Sequence, residues 1–472
     1  MNAGVKQPGV GDDHALRRDM GFWSVIATVL TSVIGGGLFL TTVAIQNELP
    51  IGSSLIWAYL VAAVPALFVA LCYAALSSAM PTTGGDYIYI SRILDPYIGF
   101  IVTWMRWFGM VGGIAAIAIG DLSLVAHMLR SLGSEHAAAF VTAHRTALAV
   151  ATIVVFLAVN YVGVRIYARV QGAMLAVLSL GLLVYVGFGL PHVTWEQLEA
   201  SARGDFDQVM RAASVVFFSF IGFAAIASAG GEVRNPRRNL PLGMVASTGL
   251  VTLIYVAVAV VTYGAAPLDT VVAAGNVPAA AGLFLSSSAA LFVSFTAFTA
   301  LVSDISPGML ATSRLALAWA QDGVAPARLA ALSRFGTPGW TLGLIGATAI
   351  VIVMAFESFI EAIDVTTIAI LLTYSIVCMS VLVMPYKRPD LWAASAVRFR
   401  GMWLVSILGL VSCQLLLGYL IGRSTVQFEA VVIWLGLGSA LYHFTRKDHQ
   451  LECTLIREAE AGLRAAAQAD GD

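Results

Sequence analysis

Long apolar stretches alternate with short polar segments along the whole chain. A transmembrane helix needs about 20 apolar residues, and in lipid every backbone N–H and C=O group must find a partner within the protein. The stretches are long enough for helices, so the pattern predicts an all-α integral membrane protein with twelve transmembrane helices. The predicted spans lie near residues 21–45, 52–79, 97–129, 145–162, 166–190, 209–231, 241–264, 281–306, 339–356, 362–385, 402–421 and 426–444.

Lysine and arginine are unevenly distributed between alternate loops. With the N-terminus inside the cell, most of the 26 lysine and arginine residues fall in cytoplasmic segments, and many acidic residues fall on the opposite side. Short cytoplasmic loops carry such an excess of basic residues. We therefore expect a cytoplasmic tail (1–20), a twelve-helix domain (21–444) and a second cytoplasmic tail (445–472), in a composition that favours a bacterial inner membrane.

Composition narrows the classes of function. Hydrophobic residues make up 59% and charged residues 11% of the 472-residue chain, which excludes a water-soluble globule. The net charge of −1 provides no basic surface for nucleic acid. The spans carry no metal-ligand motif and no histidine-rich segment, which argues against a membrane enzyme. We expect no cofactor, a lipid bilayer as the surroundings, and a monomer or homodimer.

Two of the predicted spans are interrupted near their middles. The first contains the consecutive glycines Gly35, Gly36 and Gly37, and each glycine costs about 1 kcal/mol relative to alanine in a helix. The sixth contains Gly222 and shows a weaker interruption. Close packing between helices is the alternative explanation for such glycines. Interruptions five helices apart are what inverted five-helix repeats produce, and transporters with such repeats bind substrate at discontinuous helices 1 and 6. The repeats would cover 21–190 and 209–385, with 402–444 supplying the last two helices.

Four segments resemble the amino acid-polyamine-organocation permeases, an inverted-repeat transporter superfamily. They are residues 34–39, residues 81–89, residues 219–223 continuing through 231–241, and residues 313–326. The Glu-x-x-Asn-Pro string that begins at Glu232 is the most specific of them, and the span-six motif is closest to the bacterial basic amino acid and polyamine exchangers. The resemblance implies a secondary transporter that moves a small amino acid or amine by alternating access. A channel is disfavoured, and a non-transporting sensor is a distant alternative.

The resemblance also implies a substrate site at the two interruptions. The substrate carboxylate would meet the backbone N–H groups of Gly36 and Gly37, where a half-helix leaves donors unpaired. The substrate ammonium would meet backbone carbonyls of both interrupted helices. The substrate-binding candidates are Val33, Ile34, Gly35, Gly36, Gly37, Phe218, Ser219, Ile221 and Gly222. Phe218 stands where related exchangers have an aromatic gate.

Ionisable residues inside the spans are candidates for coupling or gating, because a charge at the bilayer centre costs at least about 2.5 to 3.5 kcal/mol. The candidates, with neighbouring hydroxyls, are Arg106, Asp121, Ser303, Asp304, Ser306 and Glu232. Arg106 either closes an inner gate or pairs structurally, and Asp121 either lines an outer vestibule or is structural. Glu232 either joins an inner gate network or belongs to a charge cluster that only stabilises the structure and orientation of the loop after span six.

Span eight carries the remaining candidates just before Pro307. Proline frees a backbone carbonyl about one turn earlier. Ser303, Asp304 and Ser306 would bind a coupling ion, a proton or sodium, at this point. The alternative is that Asp304 caps local backbone at a kink near the cytoplasmic end of the span.

The expected cleft lacks groups that would hold a second substrate charge. The resemblance implies charged or aromatic groups at three positions where this sequence has none. Leu178 stands where many proton-coupled members have a lysine, Ala224 where some exchangers have a glutamate, and Gly308 near the place of a tryptophan in the arginine exchangers. An unpaired buried charge is costly. We therefore expect a neutral L-amino acid as substrate, with a basic amino acid or polyamine as the alternative if Asp121 faces the cleft.

Overall fold

The computed structural model describes residues 20–80, 85–162, 165–224, 226, 233–331, 333–335, 337–356 and 358–446, with the backbone path only at 165–172. All regular secondary structure in this part of the chain is helical, apart from one isolated bridge between Met20 and Val233. The helices at the predicted spans are Phe22–Val33 with Gly36–Phe39 and Thr41–Ala44 (one), Leu55–Ala79 (two), Pro96–Ser131 (three), Arg145–Val162 (four), Arg165–Gly189 (five), Phe206–Val216 (six), Pro236–Gly264 (seven), Ser287–Gln321 (eight), Gly339–Ala355 (nine), Phe359–Lys387 (ten), Met402–Ile421 (eleven) and Thr425–Thr445 (twelve).

Most of these helices have the length and composition of membrane spans. Within the described residues, nine are long and apolar enough to cross a bilayer, and ten if the two halves of span one are counted together. Span nine is a shorter apolar helix of 17 residues, and span six is broken. The all-helical membrane fold is thus confirmed, whereas the count of twelve spans stays a prediction.

Short helices connect the spans at the two ends of the bundle. They are Asp86–Ile93, Glu135–Ala143, Trp195–Ser201, Leu268–Ala274, Val277–Ala281 and Pro389–Ala394. Local sequence fixes several of their boundaries: the side chain of Thr194 accepts a hydrogen bond from the backbone of Gln197, and Asn276 caps Val277–Ala281 through Ala279.

Spans three and ten form the centre of the bundle. They are the most buried of the membrane-length helices, and span three packs against spans eight and ten. Spans four and twelve expose most of their surface, and large apolar side chains cover it, as contact with lipid requires. Span ten also packs against the broken span six.

Span eight differs from the prediction. We expected residues 281–306 with a kink at Pro307, but the helix runs from Ser287 to Gln321 and continues through this proline. Proline removes a single backbone hydrogen bond, and tightly packed membrane helices tolerate that loss. Asp304 therefore lies midway along the helix, and the interpretation of Asp304 as a cap near the cytoplasmic end is wrong.

Candidate functional site

The interruption of span one is a sharp break in the helix. The helix Phe22–Val33 ends at Ile34, whose backbone is extended, and a new helix starts at Gly36. The two halves are bent by 48° relative to each other. Since the first N–H groups of a helix have no partner within it, those of Gly36 and Gly37 are placed to bind an acceptor.

Span six breaks at the same level. Its helix ends at Val216, a short 3-10 turn covers Phe217–Phe220, and Ile221 is extended. Gly222 has a φ of +142°, and a side chain there would overlap the carbonyl oxygen of Ser32. Glycine is thus required where the two broken helices approach each other. Both discontinuous helices are therefore confirmed.

Hydrogen bonds join the two breaks into one unit. The hydroxyl of Ser219 donates to the carbonyl oxygen of Gly37 at 2.7 Å. The hydroxyl of Tyr255, on span seven, lies 2.9 Å from the carbonyl oxygen of Val33 and 2.6 Å from that of Ser219. Its single proton serves one of these two carbonyls at a time, so two predicted acceptors for the substrate ammonium already share one donor.

A cavity of about 150 Å³ opens between the breaks. Span one, the span-six break and spans three, eight and ten each contribute to its walls. The lining residues are Ser32, Val33, Gly36, Gly37, Met110, Gly113, Ile114, Ile117, Phe218, Ile221, Gly222, Asp304, Pro307, Gly308, Ala311 and Thr366. Six of the nine predicted substrate-binding residues are among them.

The other three predicted substrate-binding residues stand just behind the cavity wall. Ile34 is buried, and Ser219 turns its hydroxyl toward Gly37. Gly35 lies against Asp304: a methyl group on Gly35 would overlap a carboxylate oxygen of Asp304. The first break and span eight are therefore in close contact through a glycine and an acid.

The predicted coupling candidates on spans three and eight fall into two groups. Asp304 lines the cavity, and Asp121 is buried with both carboxylate oxygens lacking a hydrogen-bond partner. The hydroxyl of Ser303 instead donates to the carbonyl of Ala300 at 2.7 Å, and Ser306 accepts a hydrogen bond from Asn160 at 3.0 Å. Neither serine lines the cavity.

Arg106 pairs with an acid outside its own span, which is compatible with both of its predicted roles, the inner gate and the structural pair. Its guanidinium forms a buried ion pair with Asp86, the first residue of the helix Asp86–Ile93, and donates to the hydroxyl of Tyr73 at 2.8 Å. The pair joins span three to the segment after span two. Glu232 lies outside the described residues.

Several residues of the site were not predicted. Tyr255 bridges both breaks, and Phe359 faces Phe218 with ring centroids 6.2 Å apart. At the opposite end of the bundle from Asp86, Arg423 pairs with Glu48 at 2.6 Å and with Asp364 at 3.2 Å. The residues in each of these contacts are far apart in the chain. The only signal in the sequence for Tyr255 and Asp364 was that a polar group lies within an apolar span.

The comparison with known proteins settles the family. A family model described as amino acid permease matches residues 20–438. The chain belongs to the amino acid permease family. This permease is 23% identical over 448 residues to the methylthioribose transporter of Bacillus subtilis and 25% identical over 454 residues to the branched-chain amino acid permease BcaP of the same species, covering 93% of this chain and 95% of each relative.

A further relative comes from a plant. The vacuolar cationic amino acid transporter 4 of Arabidopsis thaliana is 26% identical over 415 residues, which are 83% of this chain and 68% of that protein. These relatives confirm the resemblance to the amino acid-polyamine-organocation permeases. They indicate a multi-pass membrane transporter of amino acids and not an enzyme. Their names cover different substrates, so they do not determine the substrate of this permease.

Proposed function

We propose that this permease is a secondary active transporter that moves a neutral L-amino acid across the cytoplasmic membrane of a bacterium by alternating access. The observation that carries the proposal is the cavity between the two helix breaks, because backbone groups of opposite polarity border it. Both termini would face the cytoplasm, as the distribution of basic residues predicts.

The two breaks suit the two charges of an amino acid backbone. The N–H groups of Gly36 and Gly37 begin the second half of span one and carry partial positive charge toward the cavity. The carbonyl of Phe218 belongs to the 3-10 turn of the span-six break and already accepts from the backbone N–H of Ile221, while the carbonyl of Ile221 belongs to the extended residue that follows. Both would accept from the substrate ammonium. Backbone groups thus recognise the part of the substrate that all amino acids share.

The rest of the cavity suits an apolar side chain. Ile114 and Ile117 on span three and Phe218 on span six contribute to its wall. Leu178 and Ala224, at positions where the resemblance implies a charged group in some members of the superfamily, are buried and apolar here. A hydrophobic substrate side chain would therefore replace water at apolar surface without leaving a charge unpaired.

A basic amino acid or an amine is the second candidate. The observation in its favour is Asp304 on the cavity wall, with Asp121 buried nearby in span three. A carboxylate there would pair with the distal ammonium of a cationic substrate. The neutral substrate is preferred because Asp304 lies beside Gly35, where it adjoins the expected position of the substrate carboxylate.

Counterflow into proteoliposomes tests the proposal. Vesicles loaded with one unlabelled amino acid at a time are assayed for uptake of the labelled compound, across neutral, basic and polyamine substrates. We expect counterflow with alanine, leucine or methionine in preference to arginine or putrescine. The reverse preference would overturn the assignment of a neutral substrate. If none of the amino acids or amines gives counterflow, the assignment as a transporter of these compounds is overturned.

A matched pair of glycine variants connects transport to the cavity. In Gly36→Ala the new methyl group would lie 3.4 Å from the ring of Phe359, an ordinary contact, and would occupy cavity space. In Gly187→Ala, on span five, the methyl group would have no neighbour within 4 Å. We expect the first variant to fold but to bind substrate weakly, and the second to transport like the parent protein.

A further inference from the structure

A second cavity lies on the side of the bundle, between spans three, ten, eleven and twelve. It measures about 640 Å³, and none of its described lining residues also lines the cavity between the helix breaks. Apolar side chains form most of its walls, and among them Ile98, Met379 and Leu435 are exposed at the surface. We call this cavity the lateral groove.

Polar side chains in the lateral groove are already bonded within the protein. The hydroxyls of Thr373 and Ser375 donate to backbone carbonyls of span ten at 2.9 and 2.8 Å. The side-chain amide of Gln414 donates to Ser375 at 2.8 Å, and the hydroxyl of Tyr97 bonds to that of Ser439 at the same distance. The groove therefore presents mainly apolar surface to an occupant.

A single cation stands at one end of the lateral groove. Lys387, the last residue of span ten, is the one charged side chain among the described lining residues, and it is exposed. Its ammonium lies 3.5 Å from the carbonyl oxygen of Leu94, and no acid in the described part of the chain forms an ion pair with it. The next residue, Arg388, pairs with Asp390 at 2.6 Å. Lysine carries three donors, so the ammonium of Lys387 remains able to bind an anion.

The length of the lateral groove matches one leaflet of a bilayer. The groove follows span ten from Leu372 to Lys387, which at a rise of 1.5 Å per residue is about 22 Å. A bilayer with its headgroups is about 40 to 45 Å thick, so one leaflet measures about 20 to 22 Å. The groove thus reaches from the headgroup level at Lys387 to the centre of the membrane.

The volume of the lateral groove suits a hydrocarbon chain better than a helix. Carbon atoms in contact lie about 4 Å apart, so an extended chain of about 22 Å occupies about 300 Å³. A helix of the same length and about 10 Å across occupies about 1,700 Å³. A groove of about 640 Å³ accommodates one or two chains of a lipid and is too small to enclose a helix of another protein.

We propose that the lateral groove is a binding site for an acidic phospholipid, with an acyl chain along spans three and ten and the phosphate at Lys387. The apolar walls accept the chain of any lipid, whereas the lysine favours a headgroup with net negative charge. Span ten also lines the cavity between the helix breaks through Thr366. The bound lipid would therefore stabilise a helix that contributes to the proposed substrate site, whatever the substrate is.

Lipid titration of the purified permease tests the preference for an acidic headgroup. Delipidated protein in detergent is titrated with phosphatidylglycerol or with phosphatidylcholine that has the same two acyl chains, and bound lipid is counted by native mass spectrometry. One lysine near the surface supports about fivefold tighter binding of the acidic lipid. Glycerol 3-phosphate, a headgroup without chains, should not compete. Equal affinity for both lipids, or full competition by glycerol 3-phosphate, would overturn the inference.

A charge variant assigns the headgroup to Lys387. Lys387→Gln should weaken the binding of phosphatidylglycerol by about fivefold and leave that of phosphatidylcholine unchanged, and Lys387→Arg should keep the preference. Arg400→Gln, at an exposed basic residue that does not line the groove, is the matched control and should bind like the parent protein. An equal loss in both glutamine variants would indicate a general attraction to the basic surface and would overturn the site.

A bulky variant assigns the acyl chain to the lateral groove. Met379→Trp should fill the groove and reduce the binding of both lipids, whereas Met354→Trp, at an exposed position on span nine, should not. If Met379→Trp does not fold, Ile98→Trp on the facing wall replaces it. Unchanged lipid binding in the groove variant would overturn the inference. A dimer that dissociates in this variant with its lipid binding intact would also overturn it, because the groove would then be a contact between two copies.

Discussion

Removing one hydroxyl group, in Tyr255→Phe, should separate the two helix breaks while preserving the packing of the core. The phenol of Tyr255 lies 2.9 Å from the carbonyl oxygen of Val33 and 2.6 Å from that of Ser219. Its ring also packs against the rings of Tyr59 and Phe220, with centroids 5.3 Å apart in each case. Phenylalanine keeps these ring contacts and deletes only the donor, so any effect on transport comes from the hydrogen bond.

The size of the effect follows from the energy of one neutral hydrogen bond. Such a bond contributes about 0.5 to 1.5 kcal/mol, and about 1.4 kcal/mol corresponds to a tenfold change in an equilibrium constant. We expect substrate affinity to fall by about two- to tenfold, because the broken helices lose the donor that holds their carbonyls at the cavity. Binding is measured by scintillation proximity, and transport by counterflow.

Tyr185→Phe is the matched control for this variant. Tyr185 is also buried, and its hydroxyl bonds to that of Thr262 at 2.8 Å, joining spans five and seven away from the breaks. We expect both variants to lose a similar amount of thermal stability in detergent but only Tyr255→Phe to lose affinity. Equal affinities in Tyr255→Phe and the parent protein would refute the role assigned to this hydroxyl.

Three further predictions concern packing, the buried ion pair and topology. Gly37→Ala would place a methyl group 2.5 Å from the Cα of Ser219, so melting of the purified protein should show destabilisation by about 1 to 3 kcal/mol; an unchanged melting temperature would contradict this. Arg106→Met should cost about 3 to 5 kcal/mol because it leaves Asp86 buried without its partner, and adding Asp86→Asn should restore part of that loss. Cysteine at the exposed Arg203 should react with impermeant reagents from the periplasm and cysteine at Arg238 only from the cytoplasm; reversed labelling would refute the orientation.

The sequence predicted those features that depend on local composition. Three consecutive glycines in an apolar span indicate a break whatever the helix packs against. The structure has this break at Ile34 and Gly35. The break in span six was signalled more weakly, because only the backbone conformation of Gly222 shows why glycine is needed there. The length of the apolar stretches was sufficient to predict the all-helical membrane fold.

Features that depend on tertiary contacts were less accessible. The course of span eight through Pro307 depends on packing, so the position of Asp304 in the middle of the helix was missed. Tyr255 acts on carbonyls of Val33 and Ser219, which are distant in the chain, and no local pattern links them. The sequence predicted that Arg106 would pair with an acid, but the identity of this acid, Asp86, became visible only in the structure.

The most direct test of the central claim is whether substrate occupies the cavity between the two breaks. Ala311 lines this cavity and is partly accessible, whereas three of the four native cysteines, Cys72, Cys378 and Cys413, are buried. The fourth, Cys453, is replaced by serine in the protein used for this assay. The rate at which a small thiol reagent modifies Ala311→Cys is measured with and without a saturating neutral amino acid. We predict that the amino acid slows modification strongly and that a non-transported analogue does not. Equal rates under all conditions would contradict a substrate site in this cavity.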